Sequence, residues 1–250
     1  MPLELTVLGS NPAWPSPSGA CSGYLLQSDE TSVLLDCGTG VLERLRSRIE
    51  PEHLGSIVLS HLHFDHWLDL IPLRYHLTYE AQAEHRIDLY LPKGGSALLH
   101  EVTRGVDPNP EFFTGTFNLH EYDVQDTLHL GDLSATMRQT LHPIDTFAMR
   151  FELDGRVLAY TADTGWMPEL APFLYDAHLL LCEAAWGASE GDPSIHLCAA
   201  QAGKLAAAAA VERLLLTHLP RAQANASVDR ARMSFTGNVE YASEGLRVRL

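Results

Sequence analysis

One short segment, Ser60-His61-Leu62-His63-Phe64-Asp65-His66, sets the strongest condition on how this chain can fold. It puts three imidazoles and a carboxylate within six positions, directly after the apolar run Ser56 to Leu59, which reads as a buried strand. Side chains two apart on an extended segment share a face, so His61, His63 and Asp65 can converge. His66 follows as the chain turns into Trp67-Leu68-Asp69-Leu70. Imidazole and carboxylate together suit zinc and related divalent ions, and this number of donors can serve two ions rather than one. A fainter copy recurs later: Val58-Leu59-Ser60-His61-Leu62 is echoed by Leu215-Leu216-Thr217-His218-Leu219, so a histidine twice lies just beyond an apolar strand.

Metal is not needed to hold such a chain together. At 250 residues, 46% of them hydrophobic, it reads as one large domain spanning 1–250. A chain of that size buries about 70 to 75% of its unfolded surface without staples, so a bound metal would be functional. Charge narrows the partners. Asp and Glu number 32 against 17 Lys and Arg, a formal charge of −15, which opposes attraction to nucleic acid or anionic membranes. The only lysines are Lys93 and Lys204 and no basic run occurs, so neither an extended nucleic-acid surface nor a membrane partner is expected. Cys21, Cys37, Cys182 and Cys198 form no C-x-x-C pair, the N-terminus shows no secretory pattern, and Leu205 to Val211 is far too short to span a bilayer. These features fit a cytoplasmic protein.

Strands are expected at Leu3–Leu8, Gly23–Gln27, Ser32–Asp36, Ser56–Leu59, Ile87–Leu91, Thr116–Glu121, Thr127–Leu130, Ser134–Gln139, Phe147–Leu153, Arg156–Tyr160, Leu179–Cys182 and Leu214–Thr217. Asp154-Gly155 signals a tight hairpin. Helices are expected at Val41–Arg48, Ser96–Arg104 and along the alanine-rich run Leu197–Val211. Asn11–Ala20 reads as an exposed loop, and Gly105–Thr114 as either a lid or a packed surface loop. His53, His76, His85, His100, His120, His129 and His178 lie outside any motif and read as surface or capping residues. Phe64 and Trp67 flank the cluster and read as core, with base stacking as the alternative. Gly38-Thr39-Gly40 lacks the third glycine of a dinucleotide loop, and no Walker lysine exists.

The H-x-H-x-D-H pattern resembles that of the metallo-β-lactamase-fold hydrolases. Further pieces follow in the same order: His142 in Leu141-His142-Pro143, Asp163 in Thr161-Ala162-Asp163-Thr164-Gly165, and His218 in Thr217-His218-Leu219. The resemblance implies a four-layer αββα sandwich of the α/β (α+β) class. It also implies two divalent ions, zinc expected and manganese the alternative. His61, His63 and His142 would hold one; Asp65, His66 and His218 the other; Asp163 would bridge them. Two such ions ~3.5 to 4 Å apart share a water, lower its pKa and hold both oxygens of an in-line displacement. True β-lactamases of this family commonly place a thiol where Asp163 stands, which argues against antibiotic hydrolysis. Asp36 matches a position that orients a metal-binding histidine.

Leu181-Cys182-Glu183-Ala184-Ala185-Trp186, followed by Ile195-His196-Leu197-Cys198, is similar to paired elements of the phosphodiesterase branch, which includes tRNase Z and cyclic-nucleotide phosphodiesterases. That similarity gives His196 the task of donating a proton to a leaving alkoxide, with Glu183 orienting it and Asp65 completing the catalytic set. Relatives of the tRNase Z type often carry His where this chain has Cys182. They also carry a tRNA-gripping arm between the third histidine and the bridging aspartate, where this chain has only 163 − 142 = 21 residues. The overall pattern resembles most the atypical class II cyclic-nucleotide phosphodiesterases, implying hydrolysis of 3′,5′-cyclic AMP, a small-molecule partner, and the homodimer frequent in that family. The alternatives are a tRNase Z-like RNA 3′-processing nuclease, a lactone or thioester hydrolase, and a module that uses the ions only as scaffold.

Overall fold

The computed structural model describes residues 2–83 and 85–250. Two seven-stranded mixed sheets face each other. The first runs β14-β1-β2-β3-β4-β5-β6, from β1 (Glu4–Gly9), β2 (Gly23–Gln27), β3 (Ser32–Leu35), β4 (Ser56–Val58), β5 (Ile87–Pro92), β6 (Phe117–Tyr122) and the distant β14 (Arg247–Arg249). The second runs β13-β12-β11-β10-β9-β8-β7, from β7 (Thr127–Leu130), β8 (Leu133–Gln139), β9 (Phe147–Leu153), β10 (Arg156–Tyr160), β11 (Leu179–Glu183), β12 (Arg213–Thr217) and β13 (Asn238–Tyr241). In each sheet an antiparallel stretch passes into a parallel one: β3 to β6 in the first, β10 to β13 in the second. Parallel neighbours need crossovers, and helices supply most of them. These are α1 (Val41–Arg46), α2 (Leu70–Tyr75) and α3 (Gly95–Arg104) in the first half, then α4 (Ala171–Leu174), α5 (Ala199–Ala208) and α6 (Ala224–Arg232) in the second.

The layers follow from how apolar side chains divide. Alternate residues of β1, β2, β9 and β10, such as Leu5, Leu26, Phe151 and Leu158, form a core between the sheets. The opposite faces pack against helices: Leu34, Ile57 and Leu89 against Val41, Leu45 and Leu73 on one side, and Leu180 and Leu214 against Ala202 and Leu205 on the other. Strands buried on both faces read as continuous hydrophobic runs, and Leu179-Leu180-Leu181 and Leu214-Leu215-Leu216 do so. The result is the expected four-layer αββα sandwich. Between β9 and β10, Asp154 (φ 49°) and Gly155 (φ 75°) make the tight hairpin turn that the Asp-Gly pair signals.

Of its two readings Gly105–Thr114 takes the packed one, because Phe112 and Phe113 are buried against the α3 side of the first sheet. Three details depart from the sequence expectation. His76 is buried, with Nδ1–H donating to Glu80 across 2.9 Å, rather than a surface residue. The alanine-rich helix is shorter, since Cys198 caps its start and the chain turns at Ala209. Helix α2 and all elements beyond Thr217 carry no expectation at all. No helix among the described residues is long and apolar enough to cross a membrane.

Candidate metal centre

In open α/β sheets, the carboxyl ends of parallel strands leave a crevice where polar groups collect. Here both sheets contribute such ends to one place. Asp36 follows β3 and the His61 cluster follows β4; Asp163, Glu183 and His218 follow or end β10, β11 and β12. His142 arrives from the connection between β8 and β9. Three of these turns hold a non-glycine residue in the left-handed region: Asp36 (φ 58°), Ala162 (φ 50°) and His218 (φ 53°). Each costs of order 1–3 kcal/mol and persists only where the surroundings fix it, a pattern found at functional sites.

The structure brings all seven proposed ligands together. The ligand atoms of His61, His63, His142 and Asp163 lie within 4.8 Å of one another, as do those of Asp65, His66, Asp163 and His218. Asp163 belongs to both groups. Its Oδ2 is 3.3 Å from His218 Nε2, 3.7 Å from His61 Nε2 and 3.9 Å from His142 Nε2, and its Oδ1 is 3.5 Å from His66 Nε2. Asp65 Oδ2 lies 3.4 Å from His66 Nε2 and 3.8 Å from His218 Nε2.

Proton positions test whether a cation fits. His142 Nδ1–H donates to the Ile195 carbonyl (3.1 Å) and His66 Nδ1–H to Asp36 Oδ2 (2.8 Å). Ser60 Oγ–H donates to the same Asp36 oxygen (2.9 Å), so its own lone pair accepts from His61 Nδ1–H (3.1 Å). In the neutral tautomers this leaves Nε2 of all three rings as a lone pair aimed inward. His61 Nε2, His66 Nε2 and Asp163 Oδ1 are buried without a hydrogen-bond partner, which buried polar atoms rarely tolerate. His142 Nε2 and His63 Nδ1 sit 3.0 Å apart. Donors with lone pairs converging on a small space fit divalent cations.

Electrostatics agree for one group of donors and not for all of the other. Burial holds His61 well below the usual imidazole range, lowers His63 and pushes His142 down to about 4, so these rings are neutral, as binding a cation requires. His66 goes the other way: burial opposes its charge, but Asp163, Asp36 and Asp65 hold it well above the usual range, so a cation bound there would have to displace the proton on its Nε2. Burial would raise Asp163, yet the charges of His218 and His66 hold it well below the ordinary carboxylate range.

Asp36 is wholly buried and does more than orient one ring. Besides His66 and the Ser60 hydroxyl, it accepts the Ser60 backbone N–H (2.8 Å) and the Tyr160 hydroxyl (3.0 Å). Ser22 Oγ pairs with His218 Nδ1 at 3.0 Å. Sequence reasoning missed Ser22, Ser60, Tyr160 and the Ile195 carbonyl; only Ser60, within the motif itself, carried a signal.

Beside Asp163 stands a second arrangement. Glu183, fully buried at the end of β11, accepts Thr164 N–H at Oε1 (2.8 Å) and Ala185 N–H at Oε2 (3.0 Å). His196 Nδ1–H donates to Glu183 Oε1 across 2.8 Å and lies 4.0 Å from Asp163 Oδ2. Burial works against charge on His196, but the bond to Glu183 and its charge, with Asp163 behind, push the imidazole up to about 9. Phe64 is exposed beside the cluster, whereas Trp67 is buried with Nε1–H donating to the Leu62 carbonyl (3.0 Å). The core reading holds for Trp67 alone.

Facing sheets that converge two donor groups on one shared carboxylate define the class: a metal-dependent hydrolase built on the αββα sandwich. The chain belongs to the beta-lactamase superfamily, whose domain model ("Beta-lactamase superfamily domain") matches residues 31–219. It is similar to the "Probable metallo-hydrolase YhfI" of Bacillus subtilis (strain 168), 32% identical over 97% of this chain and 98% of the relative. The crystal structure of YhfI superimposes with a TM-score of 0.90, covering both chains fully at 29% identity. Rv1339 of Mycobacterium tuberculosis, an uncharacterized protein, is 34% identical over 87% of this chain and 81% of its own. A "Ribonuclease Z" of Thermoplasma volcanium is 24% identical over 98% of this chain and 96% of its own.

Proposed function

We propose that this protein hydrolyses a small phosphodiester, with a 3′,5′-cyclic nucleotide such as cyclic AMP as the preferred substrate and a 5′-nucleotide as the product. The observation that carries this reading is the Glu183–His196 pair set beside Asp163. Expelling an alkoxide from phosphorus calls for a proton donor, and His196, held by Glu183 beside Asp163, supports that role.

His61, His63 and His142 would hold one cation, Asp65, His66 and His218 a second, and Asp163 both. Two divalent ions so placed, zinc or manganese, would lower the pKa of a shared water and offset charge on the phosphoryl oxygens. The protein's own groups do the rest. Two backbone N–H bonds fix the Glu183 carboxylate, and that carboxylate holds the Nδ1 proton of His196. The His196 ring therefore has its tautomer and orientation set, and Nε2 is the atom left to give a proton to the departing oxygen. Asp36 keeps His66 in register through Nδ1, and Ser22 does the same for His218.

Substrate size follows from what lies between His142 and Asp163. That stretch consists of β9, β10 and their tight turn, with no room for an arm that grips tRNA. The charge of −15 further opposes a large polyanion. The test is a panel of cyclic nucleotides, bis(p-nitrophenyl) phosphate, precursor tRNA, lactones and thioesters, with zinc and manganese supplied separately. Turnover of cyclic AMP exceeding that of the other compounds is expected. Cleavage of bis(p-nitrophenyl) phosphate with cyclic AMP left intact would reject the cyclic-nucleotide assignment, and turnover of lactones or thioesters alone would reject phosphodiester hydrolysis.

A further inference from the structure

A cavity of about 550 Å³ opens between α5, α6 and the connection from β11 to α5, and none of the metal-binding candidates lines it. Its volume lies in the range of small-molecule sites. Lys204 from α5 and Arg230 from α6 both line it. Neither forms an ion pair among the described residues; Arg230 Nη1 contacts only Met233 Sδ, at 3.5 Å. In a chain with 32 acidic against 17 basic residues, a wall that carries two cations runs against the overall balance of charge. Glu190 is the single acid lining the cavity, so the balance there stays positive.

Neutral donors accompany the cations. Gln201 spends its Oε1 on the Cys198 N–H (2.9 Å), which leaves its Nε2 to donate, and the Ser234 hydroxyl lines the same space. Met233, 75% exposed, offers a polarizable apolar surface of the kind that accommodates flat rings. The wall formed by residues 190–193 is fastened rather than loose. Trp186 Nε1–H donates to the Asp192 carbonyl (3.0 Å), and Trp166 N–H to the Pro193 carbonyl (2.6 Å). Gly203 lets α5 and α6 approach closely enough to set both cations on one cavity, since a Cβ there would lie 2.4 Å from the Ala231 carbonyl oxygen.

We infer that this cavity is a second ligand site, separate from the metal centre, which takes a phosphomonoester of nucleotide size with its phosphate on Lys204 and Arg230 and its apolar body on Met233. Charge-assisted bonds from an ammonium and a guanidinium suit a phosphate dianion better than a neutral ligand.

The test compares the full-length, metal-loaded protein with its Lys204→Gln/Arg230→Gln double variant by calorimetric titration with 5′-AMP. Both substitutions fall on half-buried or exposed positions, and metal content and thermal unfolding verify that the variant keeps its fold and centre. The unsubstituted protein should bind one more equivalent of 5′-AMP than the variant, and each single substitution should weaken that extra event about tenfold or more. Lys204→Arg should retain it. Inorganic phosphate should occupy the same extra site more weakly and adenosine should not. Equal stoichiometry and affinity in the two proteins would overturn the inference, as would adenosine binding there as tightly as 5′-AMP.

Discussion

At the scale of single residues, His196 and Glu183 make different predictions. His196→Ala removes the proposed proton donor and should lower kcat for cyclic AMP by about 10² to 10⁴, with a smaller loss for bis(p-nitrophenyl) phosphate, whose leaving group needs no proton. Glu183→Gln should lower kcat while leaving metal content unchanged, because it weakens the hold on His196 and touches none of the seven proposed ligands. Equal losses on the two substrates for His196→Ala would show that it does not protonate the leaving group. Asp36 gives a third prediction. Truncation to alanine strands the Ser60, Tyr160 and His66 donors in a dry interior. It should cost about 3–5 kcal/mol in urea unfolding and weaken metal binding about 10- to 100-fold. The ligands themselves were legible because metal chemistry restricts residue type and the motif restricts spacing. Their supports were not: Ser22 is 196 residues from His218 and Tyr160 is 124 from Asp36, and no local pattern marks a serine or tyrosine as a partner across such a distance.

Among elements, the central strands were legible as continuous apolar runs such as Leu179–Cys182, and α5 as a run rich in alanine. Helix α2 was missed because Pro72 reads as a breaker, yet it occupies the third helical position, where its missing N–H would have had no intrahelical partner. Strand β14 escaped notice because three residues, Arg247-Val248-Arg249, show too little alternation to register, although Val248 is buried in the central core. The contact between α5 and α6 turns on a smaller feature. Gly203→Ala would gain about 1 kcal/mol of helix propensity, but its methyl would meet the Ala231 carbonyl oxygen at 2.4 Å. Overpacking against backbone costs about 1–3 kcal/mol, so after the gain in propensity the variant should be less stable by up to about 2 kcal/mol in urea melts. A gain in stability would show that the helices slide apart freely.

For the whole molecule, the sandwich was legible from the order of motifs and strands, but the division of strands between sheets was not, because pairing partners lie far apart in the chain. The cores on either side of each sheet stand without any cation, so chelation should leave the far-UV circular dichroism intact at 25 °C. It should nonetheless lower the thermal midpoint by about 5 to 10 °C, the effect of losing a ligand present at ~100 times its dissociation constant from a chain of this size. An unchanged midpoint would mean that the native state gains nothing from the ions.

The pairing of β14 with β1 has one more consequence. Leu5 opposite Val248, flanked by Glu4 bonded to Arg249, stitches the tail of the polypeptide onto the leading edge of the opposite half. A nick in the short bend between β6 and β7 should therefore yield two pieces that stay clasped, because parting them would strip the first sheet of its border strand.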